Sequence, residues 1–264
     1  MKNYLVIGNP IEHSFSPKLH NYWIKKNNIN ARYEKKLLSE NEIEKIISEI
    51  KKEKIHGINV TVPFKKLIIP FVDELTPEAK EAQSVNTIYK NNNRIIGHNT
   101  DTGGFELALR SINFSIKNKK VFILGAGGVV SSIIIALKKI GASKIILSNR
   151  TRSKADNLNY IFKDIQIINW NETPEFDIVI NATSLGLKKE DEIELDYKKI
   201  GSNKLFYDVI YNPKETNFLK KGKLNGNQTE NGKMMFIYQA HQAFILWHKK
   251  SPKIDDETIK LLDQ

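Results

Sequence analysis

Residues 59–66, Asn-Val-Thr-Val-Pro-Phe-Lys-Lys, set an apolar strand directly against an amide, a hydroxyl and two lysines. The same juxtaposition recurs at Ser14 and Ser16 in HSFSP, at Asn86 and Thr87 in SVNT, and at Asn99 and Asp101 in HNTDTGG. In a doubly wound fold, groups past the strand ends converge on one crevice. Many hydroxyls and amides there, with one lysine and one aspartate, suit a small polyhydroxylated ligand. Other chemistries are excluded. The chain has no cysteine, which rules out disulfides, thiolate catalysis and cysteine-held zinc or iron–sulfur sites. Its six histidines form no H-E-x-x-H pattern and no cluster with carboxylates, so no metal is expected. His13, His98 and His241 read as structural or surface residues.

A second constellation points to a nucleotide. Gly-Ala-Gly-Gly-Val-Val-Ser-Ser, residues 125–132, follows an apolar strand and opens an apolar helix, the context a dinucleotide fingerprint requires. Gly125 permits the tight turn and Gly127 lets the backbone approach a pyrophosphate, while the helix start supplies N–H groups and positive dipole. Val130 stands at the third glycine position, and taken alone the pattern also fits a glycine turn before a buried helix. The next strand ends Ser148-Asn149-Arg150-Thr151-Arg152-Ser153-Lys154. An NAD site wants an acidic residue there for the ribose hydroxyls, whereas a guanidinium binds a 2′-phosphate. Neutral Asn149 backed by Arg150, Arg152 and Lys154 argues for NADP. Arg152 and Lys154, taken singly, also read as a basic loop on a basic protein.

Two α/β domains are needed to position these groups. In the first, strands are expected at 3–8, 31–37 and 56–62, with helices opening at Ser16-Pro17 and at Pro63. Between them, Ser39 and Glu42 form a capping box, Leu38 staples onto Ile43, and Ile43, Ile46, Ile47 and Ile50 recur at helical spacing. This alternation predicts a parallel sheet with helices on its faces. The pattern restarts as a Rossmann-type doubly wound unit. Its strands are expected at 120–124, 144–148, 165–168, 177–180 and 205–210, with a helix over 129–140 that Gly141 ends. A last long helix is expected at 233–248. The expected division is a substrate-binding domain at 1–100, an NADP-binding domain at 101–232, and C-terminal helices at 233–264 returning to the first domain.

Nine segments place the chain in a family by resemblance: GNPIEHSFSP, NVTVPFK, SVNT, NTD, GAGG, NRT, NATSLG, YDVIY and QAHQAF, in that order. With them the chain resembles the shikimate/quinate dehydrogenases over nearly its whole length. The resemblance implies NADPH-dependent reduction of 3-dehydroshikimate to shikimate, on the way to chorismate and aromatic amino acids. A quinate/shikimate dehydrogenase with relaxed substrate or cofactor choice is the alternative. It further implies that Ser14, Ser16, Thr61, Lys65, Asn86, Asp101, Tyr211 and Gln239 hold substrate. Gly125, Ala126, Gly127, Gly128, Val129, Asn149, Arg150, Thr151, Arg152, Ser153, Lys154, Val209, Gly232 and Met235 fall on the cofactor side, with Thr183 a further candidate. The chain departs from the family pattern at Thr102 (usually Gly), at Val129 in GAGGV, at Pro77 in place of an acidic residue, and at Lys233 and Met234.

Given hydride delivery to a ketone carbon, a lysine ammonium against the oxygen donates the proton and stabilises charge. Lys65 takes that role, with Asp101 holding it. Lys66, about 100° further round the helix, is expected to be exposed and dispensable. Asn59 either fixes the pocket or caps backbone, and Ser16 either meets substrate or is only the cap before Pro17. Tyr211 either meets substrate or packs at a strand end, and Gln239 either meets substrate or caps within its helix. The net charge of +11, from 41 basic and 30 acidic residues, is scattered and mixed with glutamate, so nucleic acid is not expected as a partner. No apolar run reaches the roughly 18 residues a membrane span needs, and the start lacks a signal-peptide pattern. A cytoplasmic monomer or homodimer is expected.

Overall fold

The structure, a computed structural model, describes residues 1–263. In chain order its elements begin β1 (Lys2–Gly8), α1 (Ser16–Lys26), β2 (Ala31–Leu37), α2 (Ile43–Lys51), β3 (Gly57–Val60), α3 (Phe64–Leu67), β4 (Glu74–Leu75), α4 (Pro77–Ala82), β5 (Thr87–Asn91), β6 (Arg94–His98) and α5 (Asp101–Ser111). There follow β7 (Lys120–Leu124), α6 (Val130–Ile140), β8 (Lys144–Ser148), α7 (Arg152–Phe162), β9 (Gln166–Ile167), β10 (Ile178–Asn181), α8 (Tyr197–Ile200), β11 (Leu205–Asp208), α9 (Asn217–Leu224), β12 (Gln228–Glu230), α10 (Lys233–His248) and α11 (Asp256–Lys260). The chain divides into two compact units, one of Met1–Phe105 with everything from Ile237 onward, the other Glu106–Phe236. The passages between units fall inside α5 and α10, whereas the sequence placed its boundaries at 100 and 232. The first turn of α5 packs on Gln239 and Gln242 of α10, which ties both helix segments into the first unit.

The first unit is built on a six-stranded sheet, β2-β1-β3-β5-β6-β4. Helix α2 shows how sequence makes the layer. Ser39 donates its N–H (2.9 Å) and hydroxyl (2.6 Å) to the Glu42 carboxylate at the helix entrance. Ile43, Ile46, Ile47 and Ile50 then bury one stripe with Leu38 against Ile58, Val60, Ile88 and Ile95. Burial of each such side chain is worth about 2 kcal/mol. The sheet is mixed rather than parallel, because β5 and β6 form an antiparallel hairpin and β5 runs antiparallel to β3. Asn92 and Asn93 take positive φ, 46° and 65°, which a two-residue primed turn needs. No helix separates these strands, so strand–helix alternation misreads this stretch. On the far side of the unit, His20 stacks on Tyr33 (4.2 Å between centroids, 2° between planes) among Trp23, Phe244 and Trp247. It is wholly buried, and burial drives its imidazole down to about 3, so it stays neutral.

The second unit carries an all-parallel sheet, β9-β8-β7-β10-β11-β12. Numbered within the unit, this is the 3-2-1-4-5-6 order of the doubly wound nucleotide fold. Strands β10 and β11 are buried at every residue, as a sheet with helices on both faces requires. Gly141, at φ 92°, ends α6 as its C-cap. The order reverses between β7 and β10, so the loops after those two strands frame the crevice where such folds take ligands.

Candidate active site

The hairpin brings the polar segments of the first unit to one edge of its sheet. β1 and β3 run in the same direction, and Thr61 N–H donates to Ile7 O at 2.9 Å just past their ends. Because β5 is antiparallel, its start meets the end of β3, and Asn86 O accepts Val60 N–H at 2.8 Å. β6 reverses again, so its end returns to the same edge, with Thr87 opposite His98. Asn99, Thr100 and Asp101 therefore follow β6 into the place where Asn86 enters β5.

Lys65 sits in the short helix α3. Its position is fixed through the backbone, since Lys65 O accepts Val85 N–H at 2.8 Å. Pro63 occupies the N-cap position, one residue before the helix, rather than its first turn as the sequence suggested. Lys65 Nζ donates to Asp101 Oδ2 at 2.6 Å, with the two side chains only 13% and 6% exposed. By contrast, Lys26 in its surface pair with Asp255 is 43% exposed. Asp101 opens α5, where the helix dipole favours an anion. Its other oxygen accepts Asn86 Nδ2–H at 2.9 Å. Both oxygens are thus tied, while the ammonium keeps two of its three donors for a ligand oxygen. Lys66 is exposed, as its direction on the helix predicts.

The Asn86 amide is turned by its neighbours. Thr100 N–H donates to Asn86 Oδ1 at 2.8 Å, and Thr87 Oγ1 donates to the same atom at 3.1 Å. The carbonyl side is occupied, so Nδ2 is left to face the carboxylate. Asn59 does both things the sequence left open. Its Nδ2 donates to Asn86 O (3.1 Å) and Thr87 Oγ1 (3.0 Å), and its Oδ1 accepts the Tyr33 hydroxyl at 2.7 Å. Tyr33 and Thr100 were not singled out from sequence. Tyr33 lies on β2, 26 residues from Asn59, and no local pattern links them. Gly104 in α5 admits α10, because a Cβ there would lie 2.8 Å from Gln239 N. This approach sets Gln239 Oε1 3.5 Å from Asn86 Nδ2, so Gln239 reaches beyond its own helix. Thr102 fits in place of the family glycine, its N–H donating to Asn99 Oδ1 at 3.1 Å.

Of the other expected substrate residues, three lie in the first unit. Ser14 and Ser16 pair with each other, hydroxyl to hydroxyl at 3.2 Å. Ser16 is the first residue of α1 and Phe15 holds the cap position, so Ser16 does not serve as the N-cap. The Thr61 hydroxyl, half-buried past β3, makes no hydrogen bond to the described residues. Tyr211 belongs to the second unit, where its ring stacks on Phe236 at 4.5 Å.

In the second unit the expected cofactor residues follow the C-terminal ends of β7, β8, β10, β11 and β12. Gly125 has φ +111°, and a Cβ there would lie 2.7 Å from Ala182 O, so only glycine fits the turn. At Gly127 the nearest atom to an added Cβ is 4.0 Å away, leaving the turn open where a pyrophosphate backbone approach is needed. No side chain caps α6 and its first turn holds no acidic residue. These features fit a dinucleotide. After β8, Asn149 Nδ2 donates to Thr151 O at 2.7 Å and shapes the basic loop. Arg152 is engaged by Asp156 (3.0 Å) and Asn169 (3.3 Å). Arg150 is exposed, and no hydrogen bond or ion pair holds it among the described residues, so it is the better placed of the two for a phosphate. Ser153 and Lys154 lie exposed in the first turn of α7. Gly232 N–H donates to Ile210 O at 3.1 Å beside Val209, and Met235 is buried in α10. Thr183 follows β10, but its hydroxyl is used inside its own loop. Asp208, at the end of β11, is wholly buried, and burial pushes its carboxyl up to about 6.

Over residues 6–88 the chain matches the family described as shikimate dehydrogenase substrate binding domain, and over residues 106–216 the shikimate / quinate 5-dehydrogenase family. It is 66% identical over 262 residues, 99% of each chain, to the shikimate dehydrogenase (NADP(+)) of Pelagibacter ubique strain HTCC1062. Among solved structures it is similar to the shikimate dehydrogenase of Aquifex aeolicus, at 36% identity and a TM-score of 0.91, covering 99% of this chain and 97% of that one. It is also similar to the shikimate 5-dehydrogenase of Thermus thermophilus in complex with NADP(H) and shikimate. That identity is 27% and the TM-score 0.89, over 100% of this chain and 98% of the other.

Proposed function

Since the chain belongs to the shikimate dehydrogenase family, we propose that it catalyses the reversible NADPH-dependent reduction of 3-dehydroshikimate to shikimate, in the pathway to chorismate and aromatic amino acids. The observation that carries the chemistry is the withdrawn Lys65–Asp101 pair, with the lysine retaining donors for a ligand. NADPH, when bound, supplies the hydride. Lys65 holds the ketone oxygen, stabilises its developing charge and gives it a proton, forming the alcohol O–H. In the reverse direction the neutral amine takes the alcohol proton back. Asp101 keeps the amine in place throughout, and Asn86 keeps Asp101 in place. Ser14, Ser16, Thr61, Asn86, Tyr211 and Gln239 bind the substrate hydroxyls and carboxylate. Residues 125–129 hold the pyrophosphate, the 149–154 loop holds the 2′-phosphate chiefly through Arg150, and Thr183, Val209, Gly232 and Met235 line the remainder of the cofactor site. The substrate-binding part comprises residues 1–105 with those from 237 onward, and the NADP-binding part residues 106–236.

We place the enzyme in the cytoplasm as a monomer or homodimer, a setting that suits a cysteine-free chain. Among the described residues no helix is long and apolar enough to cross a membrane. The test is formation of reduced nicotinamide, followed by absorbance, from NADP+ with shikimate, then with quinate, then with NAD+ in place of NADP+. Turnover fastest with shikimate and NADP+ is expected. No turnover with any pair would overturn the reading.

A further inference from the structure

Past β10, residues 181–186 are held by side chains. Asn181 Oδ1 accepts Thr183 N–H at 3.0 Å and the Thr183 hydroxyl at 2.7 Å. Thr183 Oγ1 in turn accepts Leu185 N–H at 3.0 Å. Asn181 Nδ2 donates to Leu185 O at 2.8 Å and to Asp208 Oδ1 at 3.1 Å. Asp208 also accepts Ile210 N–H at 2.9 Å and the Thr216 hydroxyl at 2.7 Å. No cation pairs with it among the described residues. A buried carboxylate without a counter-ion is expensive, so its retention calls for a role. Asp208 can meet only a donor, which forces Nδ2 of Asn181 towards it and Oδ1 towards Thr183. Asp208, Leu185 O and Thr183 N–H thus all require the same turn of the Asn181 amide, and the carboxylate anchors it from β11.

That loop is also a wall of the dinucleotide turn. A Cβ on Gly125 would lie 2.7 Å from Ala182 O and 3.1 Å from Thr183 Cγ2. Thr183 therefore turns its methyl group to Gly125 while its hydroxyl faces inward.

We propose that Asp208 is a positioning residue for cofactor binding: acting through Asn181, it holds the 181–186 loop against the 125–129 turn without touching the cofactor itself. This rests on the NADP reading given above.

The critical variant is Asn181→Asp. It replaces the N–H donor that faces Asp208 Oδ1 and Leu185 O with a carboxylate oxygen. The double variant Asn181→Asp with Asp208→Asn restores a donor–acceptor pair between these two side chains, but leaves Leu185 O against a carboxylate and Ile210 N–H against an amide nitrogen. NADP+ affinity, measured by titration without turnover, is expected to fall about tenfold in Asn181→Asp, the loss of roughly one charge-assisted hydrogen bond. Shikimate affinity of the same protein should stay within about twofold. Amide hydrogen exchange at Thr183 and Leu185 should quicken without any cofactor present. The double variant should recover part of both losses. Unchanged NADP+ affinity and exchange in folded Asn181→Asp, or equal losses of NADP+ and shikimate affinity, would overturn the role. Failure of the NADP reading looks different: the wild type itself would bind no NADP+, and the cofactor role of Asp208 would fall with it.

Discussion

Lys65 Nζ lies 2.6 Å from Asp101 Oδ2, and Asn86 Nδ2 lies 2.9 Å from the other oxygen of the same carboxylate. An ammonium held this way cannot wander from a bound ketone. Lys65→Met is expected to lower kcat by about 10²–10⁴-fold, the range for a lost general acid, and to change shikimate affinity much less. Lys66→Met, on the exposed side of the helix, should be close to wild type. Steady-state kinetics of both variants check this, and a near-normal kcat in Lys65→Met would refute the proton-transfer role.

Tyr33 orients Asn59 from outside the cluster. Tyr33→Phe removes the donor and leaves Asn59 Oδ1 buried without a partner, a loss of about 1–3 kcal/mol of stability. Urea unfolding measures that loss. The same variant should raise KM for shikimate and leave NADP+ affinity alone; a shift in NADP+ affinity instead would contradict the assignment.

Arg150 and Arg152 are two residues apart but differently engaged. Arg150→Ala is expected to lower kcat/KM for NADP+ about tenfold, a charge-assisted contact moderated by solvent, with little change for NAD+. Arg152, already held by Asp156 and Asn169, should matter less. Equal losses with both cofactors would show that Arg150 does not read the 2′-phosphate.

Two buried groups give the protein opposite pH slopes. His20 is driven by burial to about 3 from its ordinary 6.5. The unfolded chain takes the proton first, so the His20 contribution is present above pH 6.5 and is lost as pH falls towards 3. Asp208 is raised by burial from 3.8 to about 6. The fold therefore holds that proton more tightly, and this contribution is present below pH 3.8 and is lost as pH rises through 6. It amounts to about 3 kcal/mol. Unfolding midpoints measured between these limits should fall with rising pH in wild type relative to Asp208→Asn. In His20→Leu the decline on the acid side should be shallower than in wild type. An Asp208→Asn profile parallel to wild type would contradict the first expectation.

Sequence by itself determined the elements whose burial is written locally. The isoleucine stripe of α2, the capping pair Ser39 and Glu42, the apolar strands of the second unit and the glycine turn after β7 all follow from residues a few positions apart. Lys65 and Asp101 were picked out together by the order of the nine segments. Neutral Asn149, ahead of a basic loop, already spoke for NADP. Tertiary structure alone decided which of these groups meet. The β5–β6 hairpin reverses the chain once, and that reversal, marked only by Asn92 and Asn93, carries Asn86 and Asp101 to the same edge of the sheet. The turn of the Asn86 amide, the reach of Tyr33 to Asn59 and the hold of Asp208 on Asn181 depend on residues far apart in the chain. A periodic pattern records which side of an element is buried, but not which distant polar group will be buried against it.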